Sequence, residues 1–392
     1  DNWRVYDSRR GDAVSYTNLS NNEDSSAHIS YQADGFTWLT DNNNASSTTY
    51  IYAAFAKNVT SNTTLANSFK AVTWTGNDNN NRAITGVGFR PDLVWIKRRN
   101  SSEPHAVYDS LRSPNYQLEA NDTDAQALNS DTYRGLPSFD SDGFSVGNNG
   151  GTNRDPNTYV GWCWKAGNTW ESNIEGTVPC TINANTANGF SIIKYTGTGS
   201  NGQTVGHGLN STPELVMIKK ISGTEGWIVW GPGFGTSNWL DLSSTAAYDQ
   251  DNAGWGGTHS STVINLQSPA AARSGSDGED YIAYCWHSVS GYSKIGSYTG
   301  NGASSRSYTG VGFQPDFLMI KCTSTTAGWH MYDHARGVKK RLKANDAGAE
   351  FDENSAGSAG VNSFDSDGWT QGNDTDMNAN NETFIYIAFK AN

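Results

Sequence analysis

A six-residue ending is written four times along this chain, and it constrains the fold more than any other feature. It reads Tyr50-Ile51-Tyr52-Ala53-Ala54-Phe55, Tyr159-Val160-Gly161-Trp162-Cys163-Trp164, Tyr281-Ile282-Ala283-Tyr284-Cys285-Trp286 and Phe384-Ile385-Tyr386-Ile387-Ala388-Phe389. The last position is always a large aromatic. Measured at the fifth position, the copies lie 109, 122 and 103 residues apart. That spacing is too long for a solenoid or a propeller blade and suits a small domain. A string of self-contained beads, each burying its own core, is the expectation.

Three further signatures recur inside the unit. Gly86-Val87-Gly88-Phe89-Arg90-Pro91-Asp92-Leu93-Val94-Trp95-Ile96-Lys97 returns as Gly310-Val311-Gly312-Phe313-Gln314-Pro315-Asp316-Phe317-Leu318-Met319-Ile320-Lys321, with a looser middle copy ending Pro213-Glu214-Leu215-Val216-Met217-Ile218-Lys219. A Tyr-Asp-x-x-Arg step starts at Tyr6, Tyr108 and Tyr332, and an Asp-Gly-aromatic step at Asp34, Asp142 and Asp367. The first copy lacks the opening signature. It reads as the later part of a repeat, completed upstream or by another chain, and Asp1 reads as a processed or truncated terminus. The expected boundaries are a partial repeat over 1–60, repeats over 68–168 and 291–392, a divergent repeat over 189–290, and a linker over 169–188.

Short runs rich in Val, Ile, Tyr, Trp and Phe alternate with Gly, Asn, Asp and Ser clusters, the pattern of strands and turns. The fold class expected is all-β, as tandem antiparallel β-sandwiches of a jelly-roll-like kind. The Pro-Asp-Leu-Val-Trp-Ile-Lys segments are continuous apolar runs and read as strands buried on both faces or central in a sandwich. Asp-Gly steps predict type I′ hairpin turns. A short helical turn capped by Asn is predicted after Leu118 and after Leu342.

Charge limits the partners. The net charge is −12 with no basic block, which argues against nucleic-acid binding through phosphate neutralisation. No apolar stretch approaches the roughly 20 residues that span a bilayer. Cys163 and Cys285 stand where other copies carry Ala54 and Ala388, so they read as small core residues and not as metal ligands or disulfides. His330 and His334 fall across a strand-to-turn step, not on a helix as a zinc pair requires. Asp140-Ser141-Asp142-Gly143 and Asp365-Ser366-Asp367-Gly368 resemble the start of a calcium loop, but Gly151 and Asp376 occupy the position of its chelating Glu. No cofactor or metal is expected, and no catalytic grouping stands out.

The pairs Asp7/Arg10, Asp109/Arg112 and Asp333/Arg336 admit two readings. They could clamp a sugar or carboxylate, or form a structural ion pair that fixes a loop. Recurrence in three copies favours the second. Fourteen tryptophans also suggest sugar stacking, yet most fall on equivalent positions and therefore read as packing aromatics. Trp239, Tyr248 and Trp255 do not. They lie in the divergent middle unit, where Trp230-Gly231-Pro232-Gly233-Phe234 replaces Tyr-Asp-x-x-Arg, and they are the candidate receptor- or glycan-contacting residues.

Two stretches carry a resemblance. Ala187-Asn188-Gly189-Phe190-Ser191-Ile192-Ile193-Lys194-Tyr195-Thr196-Gly197 with Val205-Gly206-His207-Gly208-Leu209 is one. Tyr281–Trp286 with Gly291-Tyr292-Ser293-Lys294-Ile295-Gly296-Ser297-Tyr298-Thr299-Gly300-Asn301-Gly302 is the other. Both resemble repeat units of virion structural proteins of marine tailed phages, the tail-fibre or appendage proteins of cyanobacterial viruses above all. The resemblance implies a non-enzymatic protein at the virion surface, outside cells and without membrane insertion. Its implied partners are other virion proteins or copies of itself, with a trimer as the usual fibre state, and a host-surface glycan or protein. The alternative is an extracellular adhesin or carbohydrate-binding protein of a cellular organism.

Overall fold

The computed structural model describes residues 4–6, 14–16, 28–32, 35–39, 45, 49, 68–129, 135–236, 238–249, 255, 257–267, 273–355 and 359–391. The chain divides into two compact units, Asp1–Thr60 and Ser61–Asn392. In the first, Arg4–Tyr6 pairs with Val14–Tyr16 and Ile29–Gln32 with Gly35–Trp38, both antiparallel. Asp7, Arg10 and the closing copy Tyr50–Phe55 lie outside the described residues.

The second unit holds the three full repeats and is all-β apart from a one-turn helix, Thr375–Asn378, and a 3-10 turn, Glu353–Ser355, among the described residues. Each repeat centres on its closing strand: Thr158–Trp164, Asp280–Trp286 and Thr383–Phe389. On one side lies an opening strand (Phe69–Thr75, Phe190–Thr196, Ser293–Thr299), and on the other the signature strand (Leu93–Arg98, Leu215–Lys220, Phe317–Cys322). Each of these large sheets faces a smaller one. In the first repeat it comprises Arg82–Ile84, Gly143–Val146 and Ser138–Asp140, and in the third Arg306–Tyr308, Gly368–Gln371 and Val361–Asp365. In the second it shrinks to Thr204–Gly206 with Val263–Asn265.

Period-2 alternation sends every other residue of a strand to the opposite face. Tyr159 and Cys163 point into the first repeat's own sandwich with Val94 and Ile96; Cys285 and Cys322 sit likewise in the second and third sandwiches. Val160, Trp162, Trp164, Leu93 and Trp95 point the other way. There they meet Ile282, Tyr284, Trp286, Leu215 and Met217 of the second repeat, and Ile385, Ile387, Phe389, Phe317 and Met319 of the third, in one continuous apolar cluster. The three large sheets therefore share a central core. The string of self-contained beads is overturned: the apolar face of each closing strand is covered only by its neighbours, and the three repeats form one ring.

Three local expectations are corrected. The segment 169–188 is not a plain linker. It forms a hairpin, Glu171–Asn173 with Cys180–Asn185, that extends the second repeat's sheet, because Val178, Cys180 and Ile182 bury into that repeat's sandwich. In the Asp-Gly hairpins Asp140 pairs with Gly143 and Asp365 with Gly368, so Ser-Asp fills the turn and glycine starts the return strand. Glycine is needed there: φ is 140° and 148°, and a Cβ would lie 2.0 Å from the Ile84 carbonyl oxygen or 1.9 Å from that of Tyr308. No helix follows Leu118 or Leu342. Instead Asn121 and Asn345 accept through Oδ1 from the amides of His105 and Trp329, at 2.7 and 2.8 Å.

Candidate functional site: the seams between repeats

The residues singled out by chemistry converge on the three seams of the ring. Each signature strand has a buried lysine as its penultimate residue, and its ammonium bonds backbone carbonyls. Lys97 reaches Ala347 of the third repeat at 3.0 Å, Lys219 reaches Thr123 of the first at 3.0 Å, and Lys321 reaches Thr245 of the second at 3.3 Å. Backbone bonds repeat the arrangement. Glu103 donates to Ala347, Glu225 to Thr123 and Ala327 to Thr245, while Glu350 donates to Arg99, Gln126 to Ile221 and Tyr248 to Thr323. Burial pushes all three lysines down to about 8. A lysine repeated inside an apolar strand was the sequence signal for these contacts, and it was missed.

An aromatic ring follows the same direction round the ring. Trp227 donates through Nε1 to the Glu119 carbonyl at 2.8 Å and Trp329 to that of Asp241 at 3.0 Å. His105 takes the tryptophan's place in the first repeat. Its Nδ1 accepts from Trp95 at 2.9 Å, and burial pushes its pKa well below the usual histidine range, so it is a neutral packing ring.

The two Tyr-Asp-x-x-Arg pairs among the described residues, Asp109/Arg112 and Asp333/Arg336, are closed on all sides. Asp109 accepts from the amides of Leu111 and Arg112 at 3.0 and 2.9 Å and from Arg112 Nε at 2.5 Å. Arg112 also donates to the carbonyls of Tyr116 and Val107. The remaining acceptor position of Asp109 is filled from the second repeat by the Tyr284 hydroxyl at 2.6 Å; burial and the Asp109 charge raise the Tyr284 pKa and hold its proton on. In the third repeat Asp333 accepts from Arg336 Nε at 2.5 Å and from Trp162 Nε1 of the first repeat at 2.9 Å. Arg336 lies over the Trp162 ring, 5.5 Å from its centroid, and bonds Glu350, which also takes a two-pronged contact from Arg99. No polar atom of these pairs is left to grip a sugar, and the side chains are at most 1% exposed. They are structural ion pairs that reach across a seam.

Of the candidate receptor aromatics, the two tryptophans are buried and Tyr248 is half-buried. Trp239 and Trp255 are 8% and 4% exposed and belong to the second sandwich. Arg273 covers the Trp239 ring at 3.9 Å, and Trp255 donates to the Asn238 carbonyl. Tyr248 packs against the central core. The extra aromatics of the middle unit fill the sandwich left thin by its two-stranded small sheet. Among the described residues the exposed tryptophan is Trp170, on the hairpin edge beside exposed Ile174. It stands outside the repeat, so comparison of copies gave no hint of it.

The calcium-loop lookalikes are latches. Asp142 accepts from the amides of Gly86 and Gly88 at 3.1 and 2.6 Å, and Asp367 from Gly310 and Gly312 at 2.9 and 2.6 Å; these donors hold both carboxyls below the usual range. No group of three or more metal-ligating side chains occurs among the described residues. The densest ionisable cluster, in the third repeat, pairs within itself: Tyr332 with Glu353, Arg341 with Glu353 and Asp374, and His330 and Lys343 with Asp376. His334 is exposed and pairs with Asp316 instead.

Residues 65–392 match the family described as a domain of unknown function, DUF7483. The chain belongs to that family. The match begins just before the first full repeat and takes in all three, so the span recognised as DUF7483 is the ring, not one repeat. Neither a curated protein nor a solved structure is matched by the chain.

Proposed function

We propose that this chain is a non-enzymatic virion structural protein of the tail-fibre or appendage kind, presenting a stiff three-repeat ring for particle architecture or host attachment. The observation that carries the reading is the shared central core. A repeat in such a ring cannot open alone without exposing apolar surface on both neighbours, which raises the free energy of local opening. A part that acts by shape and by many weak contacts benefits from that stiffness, and copies on one particle add avidity. The conspicuous ionisable residues serve the seams, and the net charge of −12 favours solubility of a displayed surface. The resemblance to phage appendage repeats points the same way by analogy. Trp170 keeps the carbohydrate-binding alternative in play, since an exposed indole face is a platform for a sugar ring.

The test is mass spectrometry and antibody labelling of purified particles. The chain is expected at stoichiometric level on a surface appendage; its absence from particles, with recovery in host surface fractions, would favour the adhesin reading. Trp170→Ala is expected to weaken attachment to host cells or glycans with the melting temperature unchanged.

A further inference from the structure

Two of the three seams are built alike and the third is not, and the departure occurs on both sides at once. Where a repeat carries Asp-x-x-Arg, the neighbour facing it has a hydrogen-bond donor at the fourth position of its six-residue ending: Tyr284 against Asp109/Arg112, and Trp162 against Asp333/Arg336. The second repeat has Gly231 and Phe234 at the Asp and Arg positions, and the third repeat, which faces it, has Ile387 at the fourth position. Gly231 lies against the third repeat, where a Cβ would come 3.3 Å from Ile385 Cδ1. Phe234, Ile385 and Ile387 all belong to the central core.

We infer that these positions form a two-part pairing key that fixes which face of each repeat meets which neighbour and so the direction in which the repeats run round the ring. A face with Asp-x-x-Arg fits a closing strand offering an indole or phenol donor. A face with Gly and Phe fits an aliphatic one. Crossed combinations leave a buried group unpaired. Ile387 against Asp109 would strand one carboxylate lone pair beside Arg112, and Tyr284 against Gly231 would bury a hydroxyl without a partner, both of which are penalised in a dry core. The first repeat alone holds both keyed halves, Trp162 and Asp109/Arg112, and is therefore the only one of the three that could pair with its own kind.

The key is tested by double-mutant cycles in the full chain, read by equilibrium unfolding. Tyr284→Phe removes one hydroxyl and Asp109→Asn one charge. Their combined effect on the unfolding equilibrium constant is expected to fall short of the product by about tenfold, whereas Tyr284→Phe combined with Asp333→Asn, across the wrong seam, is expected to multiply without coupling. A transplant sharpens the result: Trp162→Ile alone and Asp333→Gly/Arg336→Phe alone should each lower the melting temperature more than the three together. Independent effects at the Tyr284–Asp109 seam, or equal coupling at both seams, would overturn the inference. Because the first cycle changes only one hydroxyl and one carboxylate oxygen, it stays readable even if the transplanted chain does not fold.

Discussion

The first–third seam and the second–third seam are the same joint built with different materials. The first buries Asp333, Arg336 and the Trp162 donor, with Glu350 and Arg99 at its margin. The second has glycine and phenylalanine against isoleucine. Both use the same lysine-to-carbonyl and backbone contacts. One molecule thus holds its own control for the question of what a buried ion pair contributes. General experience is that such a pair adds little net stability over well-packed apolar residues, while removing one member is severe. The apolar seam shows that the joint closes without an Asp-Arg pair, so the ion pairs are better understood as specifying partners.

The largest effect should come from breaking a keyed seam asymmetrically. Arg336→Ala leaves Asp333 buried without its counter-ion and is expected to cost about 3–5 kcal/mol in chemical denaturation. A smaller loss for Arg336→Ala than for Phe234→Ala, itself about 3–5 kcal/mol as a core truncation, would erase the contrast between the two seams.

A second, intermediate effect should be common to all three seams. The folded-state values near 8 of Lys97, Lys219 and Lys321 lie below the ordinary lysine value of 10.5. Below pH 8 the lysines are charged in both folded and unfolded chains. From about pH 8 upward the folded chain has released protons that the unfolded chain keeps, so stability rises with pH. Burial raises the Cys163 and Cys285 thiols above their ordinary 9.0, and that opposing contribution sets in above pH 9. Melting temperature is therefore expected to increase from about pH 8 to about 9 and to decline beyond; a Lys321→Met chain should show a shallower rise.

The smallest effect is expected away from the seams. Cys163→Ala with Cys285→Ala copies the third repeat, which has Ala388 at that place. Each sulfur is buried in its own sandwich, so the change trims only a little volume, and the loss should stay near 1 kcal/mol per site. A much larger loss would mean the sandwiches, and not the ring, dominate stability.

The strands were legible because recurrence and period-2 patterning act locally. The signature strands and the three described closing strands fall where the residues placed them, and hairpins form at the Asp-Gly steps with Ser-Asp in the turn. The ring was not, although one clue was present. Leu93–Ile96 is apolar at every position and Tyr159–Trp164 carries no charged side chain, and a strand in a lone two-layer sandwich has only one face to bury. The second apolar face required another cover, which only tertiary packing supplies. The aromatics of the middle repeat misled for the converse reason: Trp239 and Trp255 look unpaired in the repeat comparison because they pack inside a sandwich whose small sheet has two strands among the described residues. Trp170 escaped because exposure cannot be read from residue type.

The closed ring also sets how the unit would carry load. Phe69, at the start of its first strand, stacks on Phe389, at the end of its last, with ring centroids 5.4 Å apart. Tension applied to the two ends therefore enters at one place, the seam between first and third repeats, and bypasses the other two. The joint with no peptide connection across it is the mechanical fuse of the molecule, and it is the one reinforced by Arg99, Glu350 and Arg336.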